Sequence, residues 1–96
     1  MSSNGYATVS AYENVIGELN SFKTEVQNGC AAMCSCANMI VDATEGKDIN
    51  SLKAQKKILQ TVGRYQEIID KASALQHDLE NNKGIIIDLI RAGSDI

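Results

Sequence analysis

Apolar residues recur at intervals of three and four along two long stretches of the chain, which is the spacing of an amphipathic α-helix. The first stretch carries them every seven residues at Tyr12, Leu19, Val26, Met33 and Ile40, with a companion series, apolar except for Lys23, at Val9, Ile16, Lys23, Cys30 and Ala37. The second carries them at Ile58, Tyr65, Ala72, Leu79 and Ile86, with Val62, Ile69, Gln76, Lys83 and Ile90 between them. The pattern predicts two long helices and no strand.

Capping and turn residues predict the limits of these helices. Ser10 and Glu13 have the spacing of a capping box, so helix one should begin there after a polar, flexible tail. Gly46 favours a turn, and Asp48 is a good N-cap for helix two. We therefore expect a tail at residues 1–8, a helical hairpin at 9–92 (helix one about 10–43, turn about 44–48, helix two about 49–82, continuing or kinking to 91) and a tail at 93–96.

Two long helices joined by a short turn should lie antiparallel, as an all-α hairpin of the coiled-coil type. With the turn centred on Gly46, residues whose numbers sum to about 92 face each other. Gly29 then faces Gly63, and Cys30 faces Val62. Since glycine inside an exposed helix costs about 1 kcal/mol, we predict that Gly29, Cys30 and Gly63 mark a close crossing of the two helices.

The apolar stripes are wider than the seam between two helices requires, and a two-helix hairpin encloses little volume. We therefore expect the hairpin to complete a four-helix bundle with an identical or a different helical hairpin. The last apolar segment runs past the predicted start of helix one, so its isoleucines should lack a partner within the chain. The predicted interface consists of Val15, Ile16, Leu19, Phe22, Ile85, Ile86, Leu89 and Ile90.

Composition narrows the class of protein. The 96 residues include 9 basic and 12 acidic side chains, a net charge of −3, which argues against a general nucleic-acid binder. No stretch approaches the roughly 18 apolar residues of a membrane span. The first residues lack the basic start and apolar run of a signal peptide. We expect no nucleic acid, no membrane span, and a cytoplasmic location or secretion without a signal peptide.

Positive charge is concentrated in helix two. Lys53, Lys56, Lys57 and Arg64 lie in a stretch, residues 49–66, that contains no acidic residue. This stretch is either an ordinary solvated helix face or a docking patch for an acidic partner. Nucleic acid is a weaker alternative, because no aromatic residues alternate with the basic ones to stack on bases.

Three cysteines lie close together at Cys30, Cys34 and Cys36, and they allow three interpretations. They are small buried packing residues, a soft-metal site, or reactive thiols. Their spacing matches neither paired zinc motifs nor iron–sulfur motifs. His77, the only histidine, should lie roughly 20 Å away along the hairpin. We therefore expect the cysteines to be structural, and no metal or other cofactor.

No nucleophile–base pair, phosphate loop or paired-carboxylate motif stands out, so we do not expect an enzyme. The Ala-, Ser-, Gln- and Leu-rich hairpin with a glycine in its turn resembles the WXG family, the ESAT-like small proteins of type VII secretion. Thr44-Glu45-Gly46 corresponds to that family's Trp-x-Gly turn and keeps its glycine, and Tyr65 precedes Asp70 where the family's export signal has an acid one position earlier.

Within this group the chain is most similar to the Trp-less helical partners of LXG-type toxins. The resemblance implies an adaptor or targeting chaperone that binds the helical N-terminal region of a secreted toxin. The alternative is a cytoplasmic coiled-coil assembly protein that forms a homo-oligomeric bundle.

Overall fold

The computed structural model describes residues 3–93, with side chains from residue 5 onwards. Two helices account for nearly all of it: α1 is Ser3–Ala43, α2 is Ile49–Arg91, and residues 44–48 connect them. The described part of the chain contains no strand, so the predicted all-α helical hairpin is confirmed. Residues 1, 2 and 94–96, which belong to the two predicted tails, lie outside the described residues.

The predicted start of helix one is wrong. α1 begins at Ser3, so Ser10 and Glu13 lie inside the helix and residues 3–8 are helical. Gly5 is buried and Val9 is half-buried, which continues the inward-facing series one heptad further towards the N-terminus. Packing of these turns against the end of α2 prevails over the local capping signal at Ser10.

The turn forms where Gly46 predicts it. The Gly46 N–H donates to the Val41 carbonyl at 2.9 Å, and the Glu45 N–H donates to the Asp42 carbonyl at 3.1 Å. This pair of hydrogen bonds is a Schellman motif, and it satisfies two carbonyls at the end of α1. Glu45 and Gly46 both adopt positive φ angles, 55° and 72°. Glu45 thus occupies the left-handed position that is usually glycine in helix ends of this kind.

Asp48 is the N-cap of α2, as predicted. Its Oδ1 accepts a hydrogen bond from the Asn50 N–H at 3.2 Å, and its Oδ2 accepts one from the Ser51 hydroxyl at 2.9 Å. Ser51 is buried, so its hydroxyl has a partner where water has little access. α2 then continues through Gly84 to Arg91, which is the longer of the two predicted extents.

The described chain divides into two compact units. Unit 1 combines α1 up to Lys23 with α2 from Lys71 onwards, and unit 2 is Thr24–Asp70, which includes the turn. The buried residues of unit 1 are Gly5, Ile16, Ala72 and Ile90, and those of unit 2 are Cys30, Ala37, Ser51 and Val62.

Two side-chain hydrogen bonds join the helices of unit 1. The Gln76 amide donates to the Ile16 carbonyl at 3.5 Å, and the Lys23 ammonium donates to the Ser73 hydroxyl at 3.3 Å. Gln76 and Ile16 lie at the predicted register, and Ser73 lies four residues, just over one helical turn, from the position predicted to face Lys23.

Both cores are thin. Among the described residues no large side chain is fully buried, and the most buried apolar residue is Ala37. Apolar side chains therefore remain accessible beside both seams. In the residues that the structure describes, neither helix offers a stretch long and apolar enough to cross a membrane.

Candidate interaction surface

The eight residues of the predicted interface divide into two groups. Val15, Phe22, Ile85 and Leu89 are exposed, as an interface with another molecule requires. Leu19 and Ile86 are half-buried, and Ile16 and Ile90 are buried, so these four belong to the seam between the helices. The prediction is therefore wrong for Ile16 and Ile90.

Among the last isoleucines, Ile90 is buried and Ile86 and Ile87 are half-buried, because the start of α1 is helical, whereas Ile85 is exposed. Tyr6 and Val9 line a hollow of about 350 Å³ together with Ile87, Ile90 and Arg91. The expectation that this segment lacks a partner within the chain depended on a flexible N-terminal tail. With residues 3–8 in α1, the seam of unit 1 extends to Ile90, which is only 8% exposed.

Unit 1 has exposed apolar side chains along one flank of its seam. Val15 and Phe22 lie seven residues apart on α1, and Leu75 and Leu89 lie fourteen apart on α2, so each pair repeats on one side of its helix. All four are between 40% and 48% exposed. The two flanks face the same way, because Val15 lines one hollow with Leu79, which lies one helical turn from Leu75. We call Val15, Phe22, Leu75 and Leu89 the unit 1 apolar face.

Unit 2 has an apolar face of the same kind. Val26, Gly29, Met33 and Tyr65 line a mainly apolar hollow of about 260 Å³. Ile68 follows Tyr65 by three residues, on the same flank of α2, and is 41% exposed. We call these five residues the unit 2 apolar face.

The opposite flank of unit 2 is more polar. Its hollow has Cys30, Val62 and Ile69 at the seam, and Gln27, Gln66 and Asp70 on the outer side. That hollow, with Cys30 and Val62 on its wall, also confirms that these two residues lie at the same level. The hollow on the Val26 side is therefore the more apolar of the two, although Leu59, seven residues before Gln66 on the opposite flank, is 44% exposed.

The two glycines do not form a close helix contact. Gly29 is exposed, and a Cβ atom built on either Gly29 or Gly63 meets no atom of the other helix within 4 Å. The predicted close crossing is therefore wrong at the glycines, although Cys30 is buried beside them. The register does bring the two helices together at this level, but the glycines lie on the outer sides of the seam.

The three cysteines differ in their surroundings. Cys30 is buried, Cys34 is half-buried, Cys36 is exposed, and all three are free thiols. Within residues 3–93, the structure brings together no group of three or more cysteine, histidine, aspartate or glutamate side chains suited to a metal ion. Burial fits the packing role for Cys30 and fits it least for Cys36.

Charged residues border the apolar faces. On α1, neighbouring positions around the helix are reached by four-residue steps, from Glu25 to Gly29, Met33 and Ala37. Glu25 is exposed, Gly29 and Met33 belong to the unit 2 apolar face, and Ala37 is buried in the seam. The same steps place Arg64 beside Ile68 on the outer border of α2 in unit 2. In unit 1 they place Glu18 beside Phe22, and Lys71 beside Leu75.

These border charges are exposed and available. The ion pairs of the described residues join Lys47 to Glu45 at 3.2 Å and Lys83 to Glu80 at 3.1 Å, and neither involves Glu25 or Arg64. Lys53, Lys56 and Lys57 are also exposed, and together they line a shallow hollow on the outer side of α2. Lys57 repeats at seven residues from Arg64, so it extends the basic border of unit 2.

Comparison of the chain with known protein families, with curated proteins and with solved structures finds no match. The resemblance to the WXG family therefore stays a prediction.

The sequence-based interface omitted three exposed residues of the apolar faces: Tyr65, Ile68 and Leu75. Their signal was present, because Ile68, Leu75 and Leu89 fall on one seven-residue series. The series shows that the apolar stripe is wide, and only the depth of burial in the structure shows which of its residues are exposed.

Proposed function

We propose that the protein is a non-enzymatic helical interaction module that pairs, through its apolar faces, with another helical hairpin. One observation carries this proposal: apolar side chains of both helices lie on the same flank of the seam in each unit. In unit 1 these side chains are exposed on both helices, and in unit 2 half-buried Val26 and Met33 on α1 lie beside exposed Tyr65 and Ile68 on α2. A contiguous apolar face of this kind is typical of a protein–protein interface.

Energetics support the same conclusion. Full burial of one Val, Leu, Ile or Phe side chain contributes about 1.5–3 kcal/mol. Val15, Phe22, Leu75 and Leu89 are each at least 40% exposed, so much of that stabilisation is still available to a partner. A second hairpin laid on these faces gives each helix a second neighbour, which is the arrangement of a four-helix bundle.

Two finer forms of this function differ in the partner. The resemblance to the Trp-less partners of LXG toxins supports an adaptor or targeting chaperone that binds a toxin's helical N-terminal region. The arrangement of border charges supports an assembly of identical chains. The first form further expects the chain to accompany its toxin into the culture supernatant, and fractionation of producing cells measures that directly.

Site-specific photocrosslinking in the cells that naturally produce the protein tests the common proposal. Benzoylphenylalanine is placed at Phe22 or Ile68 on the apolar faces, and at Lys53 on the outer side of α2 as the matched control. We expect covalent adducts of defined mass from the first two positions and none from Lys53. Absence of adducts at both Phe22 and Ile68, in chains that remain helical by circular dichroism, contradicts an interaction module.

A further inference from the structure

The borders of the apolar faces carry opposite charges. In unit 2 the α1 border carries Glu25, and the α2 border carries Lys57 and Arg64. Unit 1 has the same order, with Glu18 on α1 and Lys71 on α2, although Asp78 follows Lys71 at the next repeat. The two borders of unit 2 are therefore fully opposite in charge, and unit 1 shows the same arrangement only at Glu18 and Lys71.

The two charged borders of unit 2 also lie near the same level along the helices. Cys30 and Val62 lie at the same level in antiparallel helices, so Glu25 is level with position 67, three residues from Arg64. The offset between Glu25 and Arg64 is therefore about 4.5 Å along the helix axis, a span that a glutamate and an arginine side chain reach together.

Two identical faces can stack with two-fold symmetry in two ways, and the opposite charges of the two borders favour one of them. An axis perpendicular to the helices lays α1 on α1, and Glu25 then meets an acidic border. An axis parallel to the helices lays α1 of one copy on α2 of the other and keeps every residue at its own level. Glu25 then meets the arginine at position 64 of the second copy, on both sides of the dimer.

We propose that the occupant of the unit 2 apolar face is a second copy of this chain, with α1 of each copy lying against α2 of the other and Glu25 paired with Arg64. This inference rests on the proposed function and names its partner. Opposite charges on the two borders make the face self-complementary in the parallel-axis arrangement and repulsive in the other.

The hollow at Gly29 fits this arrangement. In the isolated chain Gly29 has free space on its outer side, so nothing within the hairpin requires a glycine there. In this arrangement Ile68 of the second copy lies near the level of Val26, at one end of the hollow, and its side chain is 41% exposed in its own chain. We assign the Val26 end of the hollow formed by Val26, Gly29, Met33 and Tyr65 to Ile68 of the second copy.

Charge reversal followed by mixing tests the pairing. The purified full-length chain is studied by sedimentation over a dilution series, where we expect a mass of twice 10.4 kDa. Glu25→Arg and Arg64→Glu each place like charges opposite each other twice per dimer, so each should weaken dimerisation about tenfold or more. An equimolar mixture restores both opposite-charge pairs, and its affinity should return to within about threefold of the parent.

Matched controls separate this pairing from a general effect of charge. Glu67→Arg and Lys53→Glu change the same charges on the outer side of α2, and they should leave the dissociation constant within about threefold of the parent. Gly29→Leu fills the hollow and should weaken dimerisation, whereas Gly17→Leu, also in open space, should not.

The outcomes also separate this inference from the proposed function. A parent chain that stays monomeric at high concentration, or a mixture of the two charge variants that does not recover, overturns the second-copy assignment. If Phe22 and Ile68 nevertheless crosslink to a different protein, the interaction module stands with another partner. If neither position crosslinks to anything, both proposals fail.

Discussion

The two units of the hairpin hold their helices together by different means. In unit 2 the helices are neighbours along the chain, and the turn between them has a Schellman motif and an aspartate N-cap. In unit 1 the helix segments are far apart in sequence, and they meet through packing and through side-chain hydrogen bonds such as those of Lys23 and Gln76. The comparison shows that local signals specify unit 2, whereas non-local contacts specify unit 1.

The largest expected effect is at the buried end of unit 1. Ile90→Ala removes a side chain that is only 8% exposed, and we expect a loss of about 2 kcal/mol because this thin core leaves a cavity. Ile85→Ala is the matched control, since Ile85 is 59% exposed, and it should cost under about 0.5 kcal/mol.

Urea unfolding of the two variants measures this difference. Hydrogen exchange adds a regional readout, because Ile90→Ala should also speed exchange at residues 5–9. Equal stability of the Ile90 and Ile85 variants would mean that the start of α1 does not cover the end of α2.

The next effect is expected at the turn of unit 2. Gly46 has a φ of 72°, and a Cβ there would lie 3.9 Å from a Val41 methyl, an ordinary contact. Gly46→Ala should therefore cost about 1–2 kcal/mol through backbone conformation alone. Gly17→Ala, in the middle of α1, should instead stabilise by up to about 1 kcal/mol. Thermal unfolding of both variants tests the sign, and a stabilising Gly46→Ala would contradict the left-handed turn.

Removal of the cap of α2 should have a somewhat smaller effect. Asp48→Ala leaves the Asn50 N–H and the Ser51 hydroxyl without their common acceptor, and we expect a loss of about 1 kcal/mol. Asp48→Asn keeps a capping oxygen and should recover most of the stability. If both substitutions cost the same in urea unfolding, charge rather than capping is the contribution of Asp48.

These contrasts explain which parts of the fold the sequence predicts. The turn at Gly46 and the cap at Asp48 depend on residues within a few positions of each other, so the residues themselves identify them. The burial of Ile90 depends on Gly5 and Val9, more than eighty positions earlier, and on the start of α1 being helical. The same non-local dependence separates exposed Phe22 from buried Ile16, since both belong to one apolar stripe in the sequence.

The smallest effect is expected at Ser10, and it decides where helix one begins. Ser10 and Glu13 have the spacing of a capping box, but α1 starts at Ser3 and Ser10 is an exposed residue inside the helix. At an N-cap, Ser10→Ala should destabilise by about 0.5–2 kcal/mol. Inside a helix, alanine has the higher propensity, and the same change should stabilise by a few tenths of a kcal/mol, about 0.5 at most. We expect the stabilising sign in urea unfolding, and we expect the same sign for the nearby exposed Asn14→Ala. A destabilisation by Ser10→Ala alone would place the start of helix one at Ser10, and the first turns of α1 would then no longer cover Ile90.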